Sequence, residues 1–508
     1  MPEQNISENS RRIARNTVLL YFRMFLLMAV GLYASRIELR ALGISDYGIY
    51  GAVAGVVTMF AIITGSMSAA ISRFLTFEIG KGGTDLGKVF SSALAIQLIL
   101  SAIVIVLAEP AGLWWISHKM VLPPERLEAA RWVLQFSIIS FVIQLISVPY
   151  TADIIAHERM GAFAWLSVLE ALGKLGVAFA ISVSPIDKLV FYAALLAAVS
   201  LITRFAYGVF CKRNFPESRS GCHLHKGLFR QMFAFAGWSF IGSGAGILRD
   251  QGGNQLLNLF FGPAANAAWL LASRINGTVQ KFVTNFTTAL NPQITKSYAS
   301  GDRDYMMRLI FRGSRMSVFL LLLVVFPILF NAEFLTGVWL GADQVPAGTV
   351  CFIRLVLIYL MIEAVSYTMV TAMLSTGDIR DYQLLVGGLQ LLNLPLDYLF
   401  LKMGAPAEVI YYVAIGVALV CLAARLYMLR KMIGLPVGRF LKEVLGRELI
   451  VVSLALIVPW LLSRYLLANW GGFLISLFAT EVASFAIIWF LGCDHDERDI
   501  LLHKILHR

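Results

Sequence analysis

Long apolar windows alternate with short polar turns along this chain, and each window is close to the ~20 residues a helix needs to cross a bilayer. They predict about fourteen membrane-spanning helices, near 17–42, 47–72, 88–117, 131–155, 161–184, 189–211, 232–261, 264–295, 313–340, 350–376, 382–403, 408–430, 448–468 and 471–492. In hydrocarbon every backbone N–H and C=O must be satisfied within the segment, so continuous apolar runs read as helices. A barrel would show short alternating segments instead. The fold class expected is therefore an all-α polytopic membrane protein.

The polar punctuation sets the orientation. With the amino terminus in the cytoplasm, the even-numbered turns and both tails hold about two thirds of the 42 Lys and Arg,. They include the basic turns 212–231 and 431–447, with Arg425 counted among the turn cations at the end of the twelfth helix. This positive-inside asymmetry puts both termini on the cytoplasmic side. Arg23, Lys174, Arg204, Arg249, Arg274, Lys281 and Arg354 fall inside the apolar windows. Cations at membrane depth are costly and by default mark a path for something anionic.

Composition narrows the class further. The chain is 58% hydrophobic and 14% charged, with mean hydropathy +0.74, which excludes a soluble enzyme. The net charge of +11 belongs to loops facing anionic headgroups rather than to a nucleic-acid surface, since no basic stretch is interleaved with aromatics. The first apolar run is too long for a signal-peptide core, so an uncleaved first helix is expected. Five scattered cysteines imply no disulfide framework. Cys222-His-Leu-His225 has metal-binding residue types but lacks a fourth ligand, and no metal is expected.

Two blocks of six helices look like repeats. A shift of 219 positions lays Leu42-Gly-Ile-Ser-Asp-Tyr-Gly48 onto Phe261-Gly-Pro-Ala-Ala-Asn-Ala267. Six is even, so both blocks enter the membrane the same way, as parallel repeats with a site expected between the lobes. The organisation expected is an N-terminal lobe 1–225, a C-terminal lobe 226–432, two additional helices in 433–495 and a cytoplasmic tail 496–508.

The densest candidate chemistry lies on the eighth helix. Arg274, Thr278, Lys281, Asn285 and Thr288 follow i, i+4, i+7, i+11, i+14 spacing and form one polar stripe,. Lipid cannot be what such a stripe faces. Arginine there suits a phosphate, because its planar fork donates two hydrogen bonds at once. The plain alternative is a buried ion-pair network stiffening the bundle. On the seventh helix Arg249 precedes Asp250, Gln251, Asn254, Gln255 and Asn258. Neighbours in sequence do not share a helix face, so Asp250 is not expected simply to neutralise Arg249. Glu170 and Lys174 are spaced to pair with each other, and Arg204 and Arg354 are expected at interfaces or in interhelical pairs. Asp250, Glu363 and Asp397 are the acids that could couple transport to a Na+ or H+ gradient, against a structural hydrogen-bonding role for each. No cofactor is expected.

Leu42-Gly-Ile-Ser-Asp-Tyr-Gly-Ile-Tyr50, following a first helix that opens Asn16-Thr, resembles the signature of polysaccharide-export flippases. So do Gly65-Ser-Met-Ser-Ala-Ala-Ile-Ser-Arg-Phe-Leu-Thr-Phe-Glu78 and Ala289-Leu-Asn-Pro-Gln-Ile-Thr-Lys-Ser-Tyr-Ala-Ser-Gly-Asp302. The family resembled is the Wzx-type lipid-linked oligosaccharide flippases of the MATE-like multidrug/oligosaccharidyl-lipid/polysaccharide exporter superfamily. The resemblance implies paired six-helix bundles that move an undecaprenyl-pyrophosphate-linked glycan, such as an O-antigen unit, to the outer leaflet of the bacterial inner membrane. Membrane lipids, glycosyltransferases and a polysaccharide polymerase are the partners it implies. Related peptidoglycan-precursor flippases use arginines of the first, second and eighth helices, which here carry Arg23 and Arg36, Arg73, and Arg274. They also add two helices forming a lipid-tail groove, a role open to 448–492. The competing reading is a drug or organic-cation antiporter of the same fold, which would favour acids in the cavity. A membrane polymerase or glycosyltransferase would need an acid–base pair or an Asp-x-Asp motif on a sizeable loop. The longest turns, 212–231 and 431–447, are basic and carry no Asp-x-Asp, so enzyme activity is not expected.

Overall fold

The computed structural model describes residues 3–80, 85–157, 159–376, 380–465, 468–494 and 498. Among these the regular structure is helical throughout, with no strand. Ten helices are long and apolar enough to cross a membrane, or up to eleven if the bent pair Phe25–Thr58 and Ile63–Ile79 counts as one span. Of the expected fourteen, the first and second fall in that bent pair, with the break between Thr58 and Ala61 rather than at 43–46, and the seventh and eighth lie outside the set. The latter two run 36 and 37 residues, and their polar rows dilute the hydropathy. Large apolar side chains stay exposed along the spans, Val106, Phe205, Leu449 and Phe478 among them. On helices of this length such faces meet lipid. The chain is a multi-pass membrane protein.

The chain divides into two compact units, Met1–Ala267 and Ala268–Arg508. In the first, α1 (Glu3–Thr58), α2 (Ala61–Gly80), α3 (Leu86–His118), α4 (Leu127–Ala156), α5 (Met160–Ala180), α6 (Lys188–Asn214) and α7 (Lys226–Phe261) follow one another. α7, with which the sequence reading opens the second lobe, packs here on α2, α1 and α3. Ile71, Leu75, Phe90, Ile96, Tyr150, Ile154 and Tyr207 form a buried core where α2, α3, α4 and α6 meet. At the opposite ends of these helices Arg126 ties α4 to two neighbours. Its Nε lies 2.7 Å from Asp46 and its Nη1 2.5 Å from Asp187. Asp187 also caps α6 by accepting from the backbone N–H groups of Leu189 and Val190,.

Two glycines show why α1 and the α7 exit bend where they do. Gly43 interrupts α1 with φ 78 and ψ 169, and Gly262 ends α7 with φ 77 and ψ −170. They are the positions that the 219-residue shift superposes, and they share a backbone region open to glycine alone. After Gly262, Pro263 starts α8 (Pro263–Ala299), where a missing N–H costs nothing. Beside it the second half of α1 approaches so closely that a Cβ on Gly48 would sit 1.8 Å from the Pro263 carbonyl oxygen. Gly48→Ala is therefore expected to force the two segments apart and cost about 2–3 kcal/mol. It should be read as a fall of several degrees in the unfolding temperature of the detergent-solubilised protein.

The second unit continues with α9 (Arg303–Phe330), α10 (Ala332–Leu340), α11 (Thr349–Ala364), α12 (Tyr367–Ser375), α13 (Arg380–Leu391) and α14 (Asn393–Lys402). It closes with α15 (Val409–Ile433), α16 (Val437–Phe440), α17 (Arg447–Tyr465) and α18 (Trp470–Ile487). Three single spans expected from sequence are each broken in two, and two of the breaks have visible causes. Between α11 and α12 the Ser314 hydroxyl donates to the Val365 carbonyl at 2.8 Å, drawing it out of the helical ladder. Between α13 and α14, Pro395 has no N–H to offer the Leu391 carbonyl and its ring would clash there.

α17 and α18 pack on α9. Their junction is fixed by Asp494, held by Arg447 and by Arg315 of α9 at 2.8 Å. Partial burial raises the Asp494 carboxyl, but the bonds from Arg447 and Arg315 outweigh it and hold it below the ordinary carboxylate value,. A lowered native pKa contributes stability above the unfolded value near ~3.9 and loses it as pH falls through the native one. Melting temperatures measured from pH 6 downward should fall in the acid range, and Asp494→Asn should remove part of that dependence.

Candidate functional site

α8 is continuous from Pro263 to Ala299, so the sequence-predicted stripe lies on one face of one rigid element. At about 100° per residue the opposite face carries Val279, Val283 and Ile294, at 2%, 0% and 0% exposure. About a quarter turn from the stripe a hydrogen-bonding row holds α12. Gln280 donates to the Tyr367 hydroxyl at 3.1 Å, Thr371 donates to Asn291 at 2.7 Å, and Thr295 and Ser375 share a bond at 3.0 Å. Packing thus occupies the back and one flank of α8 and turns the stripe away from both. Arg274 and Thr278 on it are half-buried and Lys281 is exposed. A cation on this face at membrane depth is costly against lipid and needs polar surroundings, an anion among them. The side chains of Arg23, Arg73, Asn285 and Thr288 lie outside the described residues. Arg36 is half-buried on α1 before the Gly43 bend.

On α7 the structure corrects one expectation. Arg249 and Asp250 do pair, with the guanidinium Nε and Nη2 each 2.8 Å from Asp250 Oδ1. Adjacent Cβ atoms point about 100° apart, but the long arginine stem wraps around the helix and delivers its head sideways. Asp250 is half exposed. The amides beyond it build a clasp within the first unit. Asn254 donates to the Gly51 carbonyl at 3.1 Å and Gln255 to that of Ala52 at 2.7 Å. Gln255 in turn accepts from Trp115 at 2.9 Å. Asn258 accepts from the Val121 N–H at 3.0 Å and donates to Asn266 at 2.8 Å. All four amides are buried with their bonds made inside the protein. They hold α1, α3 and α7 together and are not available to a ligand.

The other candidate acids separate in the same way. Glu363 on α11 is paired with Arg425 of α15 at 3.5 Å, and the Arg425 side chain is 3% exposed. Tyr382 on α13 lies beside the same guanidinium. Arg425 is therefore no turn cation: it is drawn back into the bundle by Glu363. Its place inside the apolar run Val417–Leu426 was the available signal. Asp397 on α14 is buried. Lys174 pairs with Glu170 at 2.6 Å as its spacing predicts. Arg354 reaches Glu333 at 3.3 Å, and Arg204 lies 3.8 Å over the Tyr150 ring, both interhelical contacts as expected. Cys222 is exposed, and the backbone of the Cys222–His225 turn is fastened by Ser91 to His223 and by Ser92 to His225.

Comparison with known proteins adds the family. The profile of the family described as polysaccharide biosynthesis protein matches residues 14–298. No curated protein matches the sequence significantly. Among solved structures the chain is similar to the lipid II flippase MurJ in its inward closed conformation. Identity is 13%, over 97% of this chain and 100% of that one, with TM-score 0.70. It is also similar to an inward-facing multidrug resistance MATE family transporter of the MOP superfamily, at 13% identity over 79% and 95% of the chains and TM-score 0.64. A Vibrio cholerae MATE transporter matches at 17% identity over 84% and 99%, with TM-score 0.58. At these identities the likeness is one of fold. The match over 97% of the chain takes in most of α17 and α18.

Proposed function

The chain belongs to the polysaccharide biosynthesis protein family, and from that premise we propose that it flips an undecaprenyl-pyrophosphate-linked oligosaccharide from the cytoplasmic to the outer leaflet of the bacterial inner membrane. A cationic cavity that opens alternately to either side would carry it, for assembly of a surface polysaccharide such as O-antigen. One observation carries the reading. The Arg274–Thr278–Lys281 face of α8 is turned away from that helix's packed faces, in a chain whose family handles polysaccharide. Guanidinium and ammonium groups recognise a pyrophosphate by charge-assisted hydrogen bonds, and the hydroxyl of Thr278 extends the same face toward sugar. The similarity to a lipid II flippase over nearly the whole chain supports a lipid-linked cargo. The charge pattern of the turns supports cytoplasmic termini.

The antiporter reading shares the fold but wants an acid where the cargo binds. Among the candidate acids Glu363 and Asp250 are already held by arginines. Binding distinguishes the two readings. The purified protein in nanodiscs is expected to bind a polyprenyl-pyrophosphate saccharide, and to lose about tenfold or more in affinity when the pyrophosphate is removed. Equal affinity for the neutral lipid, or preference for a lipophilic cation, would overturn the proposal.

A further inference from the structure

A second cluster of chemistry lies away from α8, at the C-terminal end of α4. Asp153 is fully buried, and neither of its carboxylate oxygens has a hydrogen-bond partner. One turn on, His157 presents Nε2 3.6 Å from Asp153 Oδ1 and 2.5 Å from Glu217 Oε1. Glu217 comes from the turn Pro216–Arg219, and its side chain is 5% exposed. Ligand atoms of all three residues lie within 4.8 Å of one another. The imidazole plane is set by stacking on Phe215 at 4.3 Å and 9°, which aims Nε2 at the two acids. Arg204, the other cation nearby, has its guanidinium over the Tyr150 ring.

Two buried carboxylates face one imidazole: a single proton on His157 balances one of them, and the other must take a proton itself or meet a cation. A dication would balance both and leave the imidazole neutral as a ligand. We propose that Asp153, His157 and Glu217 bind a divalent transition-metal ion, with Zn2+ the best fit to one nitrogen and two oxygens. Three protein ligands leave a fourth, water-filled position in a tetrahedral site. The Asp153–His157 separation of 3.6 Å is already close to a tetrahedral edge of about 3.4 Å. Glu217 must move out from its hydrogen bond to the imidazole to reach the same separation. His157 is 26% exposed and gives the ion access. Bound there, the metal fastens the end of α4 to the turn between α6 and α7. The i, i+4 spacing of Asp153 and His157 is visible in the sequence, whereas Glu217 is supplied only by the fold.

The test uses the full chain in detergent, stripped with chelator, dialysed, and titrated with Zn2+ alone. We expect about one zinc per chain and an unfolding temperature raised by several degrees, both lost in Asp153→Asn and in Glu217→Gln. Uptake that persists in those variants but vanishes in Cys222→Ser/His223→Ala would overturn the assignment, as would no uptake by the wild type. Co2+ loaded into the wild type decides the matter even where a variant fails to fold. Tetrahedral d–d bands without a thiolate charge-transfer band support the site, and a thiolate band places the metal on cysteine and overturns it.

Discussion

Replacing Arg274 and Lys281 together by alanine is expected to lower transport of a pyrophosphate-linked saccharide into proteoliposomes by about a hundredfold or more, with the fold retained. Each residue would lose a charge-assisted hydrogen bond to phosphate of ~1.5–3 kcal/mol, so the pair removes at least ~3 kcal/mol, a factor of about one hundred. Little stability should be lost, because alanine favours the helix and neither side chain belongs to the Val279–Val283–Ile294 face that packs. Arg274→Lys/Lys281→Arg keeps both charges and should retain much of the rate, losing chiefly what the guanidinium fork contributes at position 274. Thr278→Val removes one neutral bond and should cost less than tenfold. Unfolding temperature measured alongside transport separates these effects from misfolding. If the double alanine variant transports normally, the stripe is structural.

The second large effect concerns stability. Arg425→Ala leaves Glu363 as an uncompensated charge inside the bundle, and one-sided removal of a buried pair costs about 3–5 kcal/mol. The Arg425 side chain is 3% exposed and that of Glu363 16%, so little water can replace the lost partner. Arg425→Met combined with Glu363→Gln removes both charges and should recover most of the loss, since well-packed neutral residues often match a buried pair. A double-mutant cycle on unfolding free energy reads the coupling directly. The same variants test Glu363 as an ion-coupling acid. That role requires Glu363→Gln to abolish gradient dependence while the protein stays folded. The ion pair in the structure instead predicts that Glu363→Gln destabilises by stranding Arg425.

The parts of this architecture legible in sequence were those set by local rules. Apolar windows mark helices because hydrocarbon allows little else. The 219-residue shift pairs Gly43 with Gly262, and both adopt a conformation that side chains resist,. Glu170 and Lys174 meet because four residues make one turn,. Contacts that depend on reach or on a distant helix were not legible. The Arg249 head swings sideways onto Asp250, which helix-face geometry alone argues against. Arg425 is paired by an acid on another helix, and the α11–α12 break depends on a hydroxyl from α9. On α8 spacing alone grouped the stripe residues, but only the packing of α12 and the buried opposite face show which sides of the helix the stripe does not share.

Flipping of a lipid-linked glycan by this chain would be read by counting that glycan on each leaflet of the inner membrane. Cells depleted of the protein and holding no redundant flippase would be compared with cells rescued by the wild type. Depletion is expected to cause accumulation on the cytoplasmic leaflet and loss of surface polysaccharide, both reversed by rescue. An unchanged leaflet distribution after depletion would contradict flipping and bring the organic-cation antiporter forward.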